Sequence, residues 1–468
     1  MTLTGESETT MTAPSHKEPS TIDRMLDEIV GNDRSVEVAV TGRGSLPSVF
    51  GVSDLATASV AAAGVAVSEL LALDGAAPRP VRVDRRLASM WFASSLRPDG
   101  WEPPPPWDAV AGDYRATDGW IRLHTNAPAH REAALAVLDV PADRGRVAAA
   151  VATWQVDRLE TVVVAAGGCA AAMHTLDEWE AGEPGRSVAT EPLIAWEDTG
   201  PAPAASWSLD PARPLAGVRV LDLTRVLAGP VATRFLAQLG ADVLRIDPPW
   251  WEEPGVVPDV ILGKRSARLD LREPADRDRL LELLAGADML VHGYRPGALD
   301  GRGLGEAARR DVRPGLIEVS LDAYGWTGPW ASRRGFDSLV QMSTGIAEAG
   351  MRLLGRDKPT PLPVQALDHA TGYLMAHAAI RALAGRLRTG RGSSAALSLA
   401  RTAGLLTQNG TSELGPPIRS EDEHDIARAF EHTSWGPARR LRAPVAIDGV
   451  DFRAHLPARD LGSDTAAW

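Results

Sequence analysis

Between Val218 and Leu321 short apolar runs alternate with amphipathic stretches, and this alternation limits the possible folds more than any other feature of the chain. Val218 to Leu223 reads as a buried strand, Pro230 to Leu239 as a helix with proline in its first turn, and Val243 to Ile246 as a second strand. Asp276 to Ala285 then reads as a helix, Met289 to His292 as a strand and Leu316 to Leu321 as another. Strands separated by helices pair in parallel, so the spacing predicts an α/β fold with a doubly wound, mainly parallel, Rossmann-like sheet. The phosphate fingerprint G-x-G-x-x-G is missing after Leu223, which argues against an ordinary dinucleotide site.

The chain has 468 residues, more than the ~250 to 300 at which a single core stops growing. A Pro/Ala-rich passage at 199–213 reads as an extended linker. Downstream, residues 214–400 are expected to form the large domain, with 401–468 as a C-terminal extension packed on it. Upstream, residues 93–198 read as a smaller α+β domain: a strand at Asp118 to His124, and helices at Ala134 to Leu138, Val147 to Trp154, Leu159 to Ala166 and Leu176 to Ala181. Residues 1–35, rich in Ser, Thr, Glu and Pro, read as a flexible tail. In 36–92 an alanine-rich helix from Asp54 to Leu73 precedes a strand at Val81 to Asp84. Asp54-Leu-Ala-Thr57 is echoed by Asp368-His-Ala-Thr371, and Val83-Asp84 by Ala396-Leu397 at a similar distance, so 36–92 is expected to be a degenerate copy of the segment around Asp368.

Charge and cysteine usage exclude several functions. The net charge is −12 and no Lys/Arg cluster has interleaved aromatics, so no nucleic-acid partner is expected. Cys169 is the only cysteine, which rules out intrachain disulfides and cysteine-based metal clusters. No apolar run is expected to reach the ~18 residues of a membrane span. No apolar signal-peptide core precedes residue 35, so a soluble cytoplasmic protein is expected. Cys169 among alanines reads as a buried small hydrophobe, and His124, His130 and His174 lack metal-ligand spacing.

The order of five motifs is more specific than any one of them. Val218-Arg-Val-Leu-Asp-Leu-Thr-Arg-Val-Leu-Ala-Gly-Pro230, Gly263-Lys-Arg-Ser266, Tyr294-Arg-Pro-Gly297, Gly335-Phe-Asp337 and Leu367-Asp-His-Ala-Thr-Gly372 follow one another down the chain. Together they resemble the family III CoA-transferases (CaiB/BaiF-type), which include formyl-CoA and carnitine-CoA transferases and α-methylacyl-CoA racemase. The resemblance implies a rearranged, permuted or partly duplicated version of that fold. It also implies a CoA-transferase acting on acyl-CoA and a carboxylic acid acceptor, with coenzyme A bound as its thioester, no metal, and a homodimer.

Residue by residue, the resemblance makes Asp368 the nucleophile: it attacks the donor thioester to give an aspartyl anhydride, and CoA then returns to give an aspartyl-CoA thioester. An aspartate at its reference pKa of ~3.9 is ionised at neutral pH and needs no general base. Local sequence supports another role, since Asp before Ala370-Thr371 and an apolar helix is a favourable N-cap. Asp54 reads as a cap or a vestige. The resemblance assigns CoA contacts to Arg225, Val226, Leu227 and Ala228, and to Lys264, Tyr294, Arg302 and Arg334.

Three departures stand out. Gly293 replaces the asparagine usual before Tyr294, no run of glycines follows Asp368, and Phe336 stands where the racemase branch has histidine. Without that histidine two-base proton transfer loses a partner, and His369 beside Asp368 reads as a helix-face residue. Transferase is therefore preferred, with an acyl-CoA racemase or a non-catalytic CoA-binding paralogue as the alternatives.

Overall fold

A computed structural model describes residues 19–32, 34–73, 75–205 and 207–468. Its centre is a seven-stranded sheet. The strands are β1 (Ala195–Pro201), β2 (Arg219–Leu223), β3 (Asp242–Asp247), β4 (Arg265–Arg268), β5 (Met289–His292), β6 (Ile317–Asp322) and β7 (Arg391–Ser398). Their order is β4-β3-β2-β5-β6-β7-β1, all parallel except β1, which runs antiparallel to β7 at the edge. Three helices matter for the site: α1 (Val52–Leu71), α2 (Ala228–Gln238) and α3 (Ala366–Thr389).

Side-chain alternation buries both faces of the sheet. Val220, Val243, Met289, Val291, Ile317 and Val319 join one core with residues of α1, α2 and α3. Leu221, Leu244, Ile246 and Leu290 point the other way, against Leu280, Leu283 and Leu284 of the helix Pro274–Ala285. A parallel sheet covered on both sides reads as continuous apolar runs, which explains why these strands are legible in the sequence.

Other regions depart from the expectations. Residues 1–18 of the expected tail lie outside the described residues, but Thr21–Val30 is a helix rather than part of a tail. Ser20 accepts from the N–H of Asp23, and Asp23 returns a bond to Ser20, forming a capping box; Met25, Leu26 and Ile29 are buried in the main core. The Pro/Ala passage is not wholly a linker, because β1 runs into it as far as Pro201, and the Thr199 hydroxyl donates to the Leu316 carbonyl at 2.8 Å. The expectation of no membrane-length apolar run also fails. Val52–Leu71 is long and apolar enough to cross a membrane, but 89% of its most apolar window is buried inside the fold, where it packs on α3.

The C-terminal residues reach both halves of the molecule. Val445–Ile447 pairs with Val81–Asp84, which pairs in parallel with Val38–Thr41, and Gly436–Arg440 pairs with Leu96–Pro98. Trp468 donates to the Leu283 carbonyl at 2.7 Å beside the large sheet. In 93–198 a three-stranded sheet of Gly112–Arg115, Trp120–Leu123 and Ala170–Ala172 packs with its own helices around Ile121, Leu123, Val147 and Leu159. Helices α1 and α3 each carry an aspartate at their third residue, and each is followed by a strand and then a helix.

Candidate active site

Strand order reverses between β2 and β5, so the chain leaves their C-terminal ends in opposite directions and opens a crevice. A cleft of about 400 Å³ lies there. It is lined by Leu223 to Val226 after β2, Gly293 to Arg295 after β5, Leu321 to Ala323 at the end of β6, Arg333 to Phe336, and Asp368. Of the expected site residues, Arg225, Val226, Ala228, Tyr294, Arg302, Arg334 and Asp368 all face this one cleft.

Two expected contacts do not reach it. Leu227 is buried as the residue that precedes α2. Lys264 is fully buried instead of meeting a ligand: its Nζ lies 3.2 Å from Asp222 and donates to the Pro230 carbonyl at 2.9 Å. Burial pushes its ammonium down to about 8 despite the attraction of Asp222. Asp222 also accepts from Thr224 and from the Thr233 hydroxyl, so this cluster fixes the turn between β2 and α2 from beneath.

Asp368 is 9% exposed and sits in the first turn of α3. It does not cap the helix. Asp337, from the helix Asp337–Ser343, does so from outside: its Oδ2 accepts the Asp368 N–H at 2.9 Å, while Gln341 donates to its Oδ1. Gln341 is held in turn by the Leu362 N–H at 2.7 Å. Burial and the neighbouring charge of Asp337 hold the Asp368 carboxyl well above the usual carboxylate range, against the opposing pull of the Ala228 N–H at the start of α2. Burial raises Asp337 as well. Burial thus disfavours the charged form of both carboxyls, and the charge of Asp337 adds to that at Asp368.

The loop after β2 is strained. Val226 has φ +64°, an unfavourable value for a β-branched residue. Its N–H donates to Glu253 Oε1 at 2.6 Å, an oxygen that also accepts from Trp251 Nε1 at 2.6 Å. The other oxygen of Glu253 takes the fully buried Arg245 at 2.8 Å. Arg225 donates to the Tyr294 hydroxyl at 2.9 Å and lies over the rings of Trp251 and Tyr294, 5.0 and 5.3 Å from their centroids. Arg302 and Arg334 are exposed and form no ion pair among the described residues, though the charge of Arg302 acts on Asp270. Burial and the like charge of Arg334 push Arg295 down. Arg225, Arg295, Arg302 and Arg334 outnumber Asp322 and Asp368 in the lining, and such an excess of cations on one cleft makes an anion site.

Two further recesses share residues with the cleft. One, of about 160 Å³, lies over β2 and β3 between Trp250, Trp251, Tyr294 and Arg272. The other, of about 230 Å³, lies between Trp107 and His124 of the smaller domain and Val226, Trp251 and Phe336 of the larger. His124 stacks on Phe336 at 3.7 Å, and burial pushes its imidazole down to about 3. His130 also lines the main cleft, pushed down to about 4 by burial and Arg334.

The remaining candidates sit elsewhere. His369 is buried and stacks on Phe92 at 5.1 Å. Asp54 is paired with Arg85 at 2.5 Å and makes no cap bond. Burial pushes the Cys169 thiol up to about 12. Sequence reasoning missed Asp322, Glu253, Trp251 and the place of His130, and took Arg295 and Asp337 only as parts of motifs. Several of their contacts are local, as between Trp251 and Glu253 or Asp322 and Gly325, but only the packed fold brings these residues to one cleft.

Residues 215–417 match the model of CoA-transferase family III. A probable fatty acyl-CoA transferase of Mycobacterium tuberculosis is 36% identical over 198 residues, covering 39% of this chain and 49% of that protein. The succinyl-CoA:glutarate CoA-transferase of Mus musculus is 37% identical over 198 residues, covering 39% and 44%. A solved CAIB/BAIF family protein from Brucella suis is 29% identical, with a TM-score of 0.38 and coverage of 48% of this chain and 65% of that one. The chain spans less than half the length of these two curated relatives. The motifs from Val218 to Gly372 fall inside the matched stretch, so residues 215–417 are similar to CoA-transferase family III.

Proposed function

We propose that the protein transfers CoA between carboxylic acids through Asp368. One observation carries the reading: a buried carboxyl in the first turn of α3, facing the Ala228 N–H, lines a cleft with Arg225, Arg295, Arg302 and Arg334. The arginines suit the phosphates of CoA, and the recess beside Trp250, Trp251 and Tyr294 suits its flat base. The recess walled by Trp107, His124 and Phe336 suits the acyl group.

Asp368 as a carboxylate attacks the thioester carbonyl, the C–S bond breaks, and CoA thiolate leaves an acyl-aspartyl anhydride. The thiolate attacks the aspartyl carbonyl and releases the donor acid as its carboxylate. The acceptor carboxylate attacks the carbonyl of the resulting aspartyl-CoA thioester, the C–S bond breaks, and CoA thiolate leaves an acceptor–aspartyl anhydride. Thiolate then attacks the acceptor's carbonyl, giving the new acyl-CoA and restoring Asp368. Each step exchanges one activated acyl bond for another, so no ATP is consumed. Burial leaves the Asp368 carboxylate poorly solvated and hence more nucleophilic once ionised. Water must be kept from the anhydride, and Trp107, His124 and His130 wall that side of the site.

The test is to incubate the protein with a panel of acyl-CoAs, trap with hydroxylamine and map the modified residue by mass spectrometry. Modification of Asp368 is expected. Modification of Asp54 alone overturns the site, and no modification by any acyl-CoA favours a CoA-binding paralogue.

A further inference from the structure

The transfer steps leave one carboxyl of the cleft unused. Asp322, the last residue of β6, is 6% exposed and lines the same cleft as Asp368. Its Oδ1 accepts the Gly325 N–H at 2.9 Å, while its Oδ2 is buried with no hydrogen-bond partner. No cation among the described residues pairs with it, and the charge acting on it is that of Glu191, itself held by the N–H groups of Trp326 and Thr327. A lone buried carboxylate is costly and takes up a proton instead. Burial and Glu191 accordingly push Asp322 up to about 8.

With Oδ1 occupied by an N–H, the proton belongs on Oδ2, which leaves an unspent O–H donor just beneath the cleft wall, reached by a rotation of the side chain. Arg333 lines the same cleft with its side chain 9% exposed. Its Nη2 is taken by Glu160 at 2.7 Å and the Ala170 carbonyl at 2.9 Å, but its Nε has no partner. The unpartnered Oδ2 of Asp322 and the unpartnered Nε–H of Arg333, whose charge is already met by Glu160, border one cleft and suit an anionic oxygen acceptor.

We propose that Asp322, as a carboxylic acid, donates a hydrogen bond to a carboxylate oxygen of the substrate acid and holds that acid beside Asp368. This rests on the transferase reading above. The carboxylate is either the reacting one or the distal one of a dicarboxylic acid, and the test separates the two.

Exchange of labelled succinate into succinyl-CoA and of labelled acetate into acetyl-CoA is measured for the full chain and for Asp322→Asn and Asp322→Leu. Binding of free CoA reports on folding. Asn keeps a donor and should hold the KM for free acid within about threefold; Leu should raise it about tenfold, the loss of one hydrogen bond of about 1.4 kcal/mol. CoA affinity should stay within twofold in both. A rise for both acids assigns Asp322 to the reacting carboxylate, and a rise for succinate alone to the distal one. The proposal is overturned if Leu leaves the acid KM unmoved, if Asn is as damaging as Leu, or if CoA affinity falls in parallel. A wild-type protein that never acquires label on Asp368 removes the transferase reading and this proposal together; a labelled Asp368 with an unmoved acid KM removes only this one.

Discussion

Gly372 tests whether the close approach of two helices positions the nucleophile. It lies one turn beyond Asp368 in α3, where the start of α2 crosses. A Cβ added there would lie 2.5 Å from the Ala228 carbonyl oxygen, and 2.8 and 2.9 Å from Cβ and Cγ1 of Val231. Comfortable contact begins near ~3.5 Å, so Gly372→Ala forces α2 back by roughly an ångström. Overpacking of this kind costs about 1–3 kcal/mol. The displaced residue carries the N–H that faces the Asp368 carboxylate, and an ångström of misplacement at a reacting centre costs about a hundredfold in rate. Gly385 is the control. It lies in the same helix, and a Cβ there meets nothing within 4 Å, so Gly385→Ala should gain about 1 kcal/mol of helix propensity. Labelling of Asp368 in single-turnover mixtures, with thermal unfolding alongside, should show Gly372→Ala slow and less stable, and Gly385→Ala fast and more stable. A Gly372→Ala protein that labels within threefold of wild type and melts no earlier would refute the positioning argument.

Other predictions concern charge and space in the cleft. Because Asp368 is raised in the folded state, its proton is held more tightly there than in the unfolded chain. Its contribution to stability therefore rises as pH falls through that raised value, while the transfer rate falls over the same descent. Asp337→Asn removes the neighbouring charge, so the acid limb of the pH–rate profile should move to lower pH; an unmoved limb would contradict the coupling. Lys264→Met breaks a fully buried pair with Asp222 and should cost about 3–5 kcal/mol in denaturant titration, whereas Arg302→Ala should weaken CoA binding with little change in melting. The opposite pattern would restore Lys264 as a ligand contact. Gly293→Asn has room, since the nearest atom to a Cβ is Leu321 Cδ2 at 3.9 Å. A regained hydrogen bond of about 1 kcal/mol should tighten CoA binding roughly fivefold by calorimetry.

Four strands of the large sheet, β2, β3, β5 and β6, were legible because burial on both faces writes them as apolar runs, whereas β1, β4 and β7 carry charged or small polar residues and were not. Met289–His292 and Val81–Asp84 have the expected bounds, and β2, β3 and β6 differ from theirs by a residue at one or both ends. The cleft was legible wherever contacts follow a strand's C-terminal end, as at Arg225, Tyr294 and Arg302. Lys264 lies on Asp222 and outside the cleft lining, which a motif does not reveal because it records the lysine without recording what the side chain faces. The environment of Asp368 was missed for a related reason. Its pKa depends on Asp337, thirty-one positions earlier, and on the first residue of α2, which only the packed fold brings together. The Thr21–Val30 helix escaped notice because its polar capping box resembles the composition of a tail.

Helix α1 has a consequence for synthesis of the chain. Eighteen of its twenty residues are buried, and its main partner is α3, which begins at Ala366. At ~5–20 residues per second the ribosome needs some ~15–60 s to travel from Leu71 to that helix. Through that interval a twenty-residue apolar helix lacks the surface that will cover it. Expression yield should therefore respond to chaperone supply and translation speed more than the melting temperature of the finished protein suggests, and polar substitutions in α1 should alter the fraction recovered in soluble form.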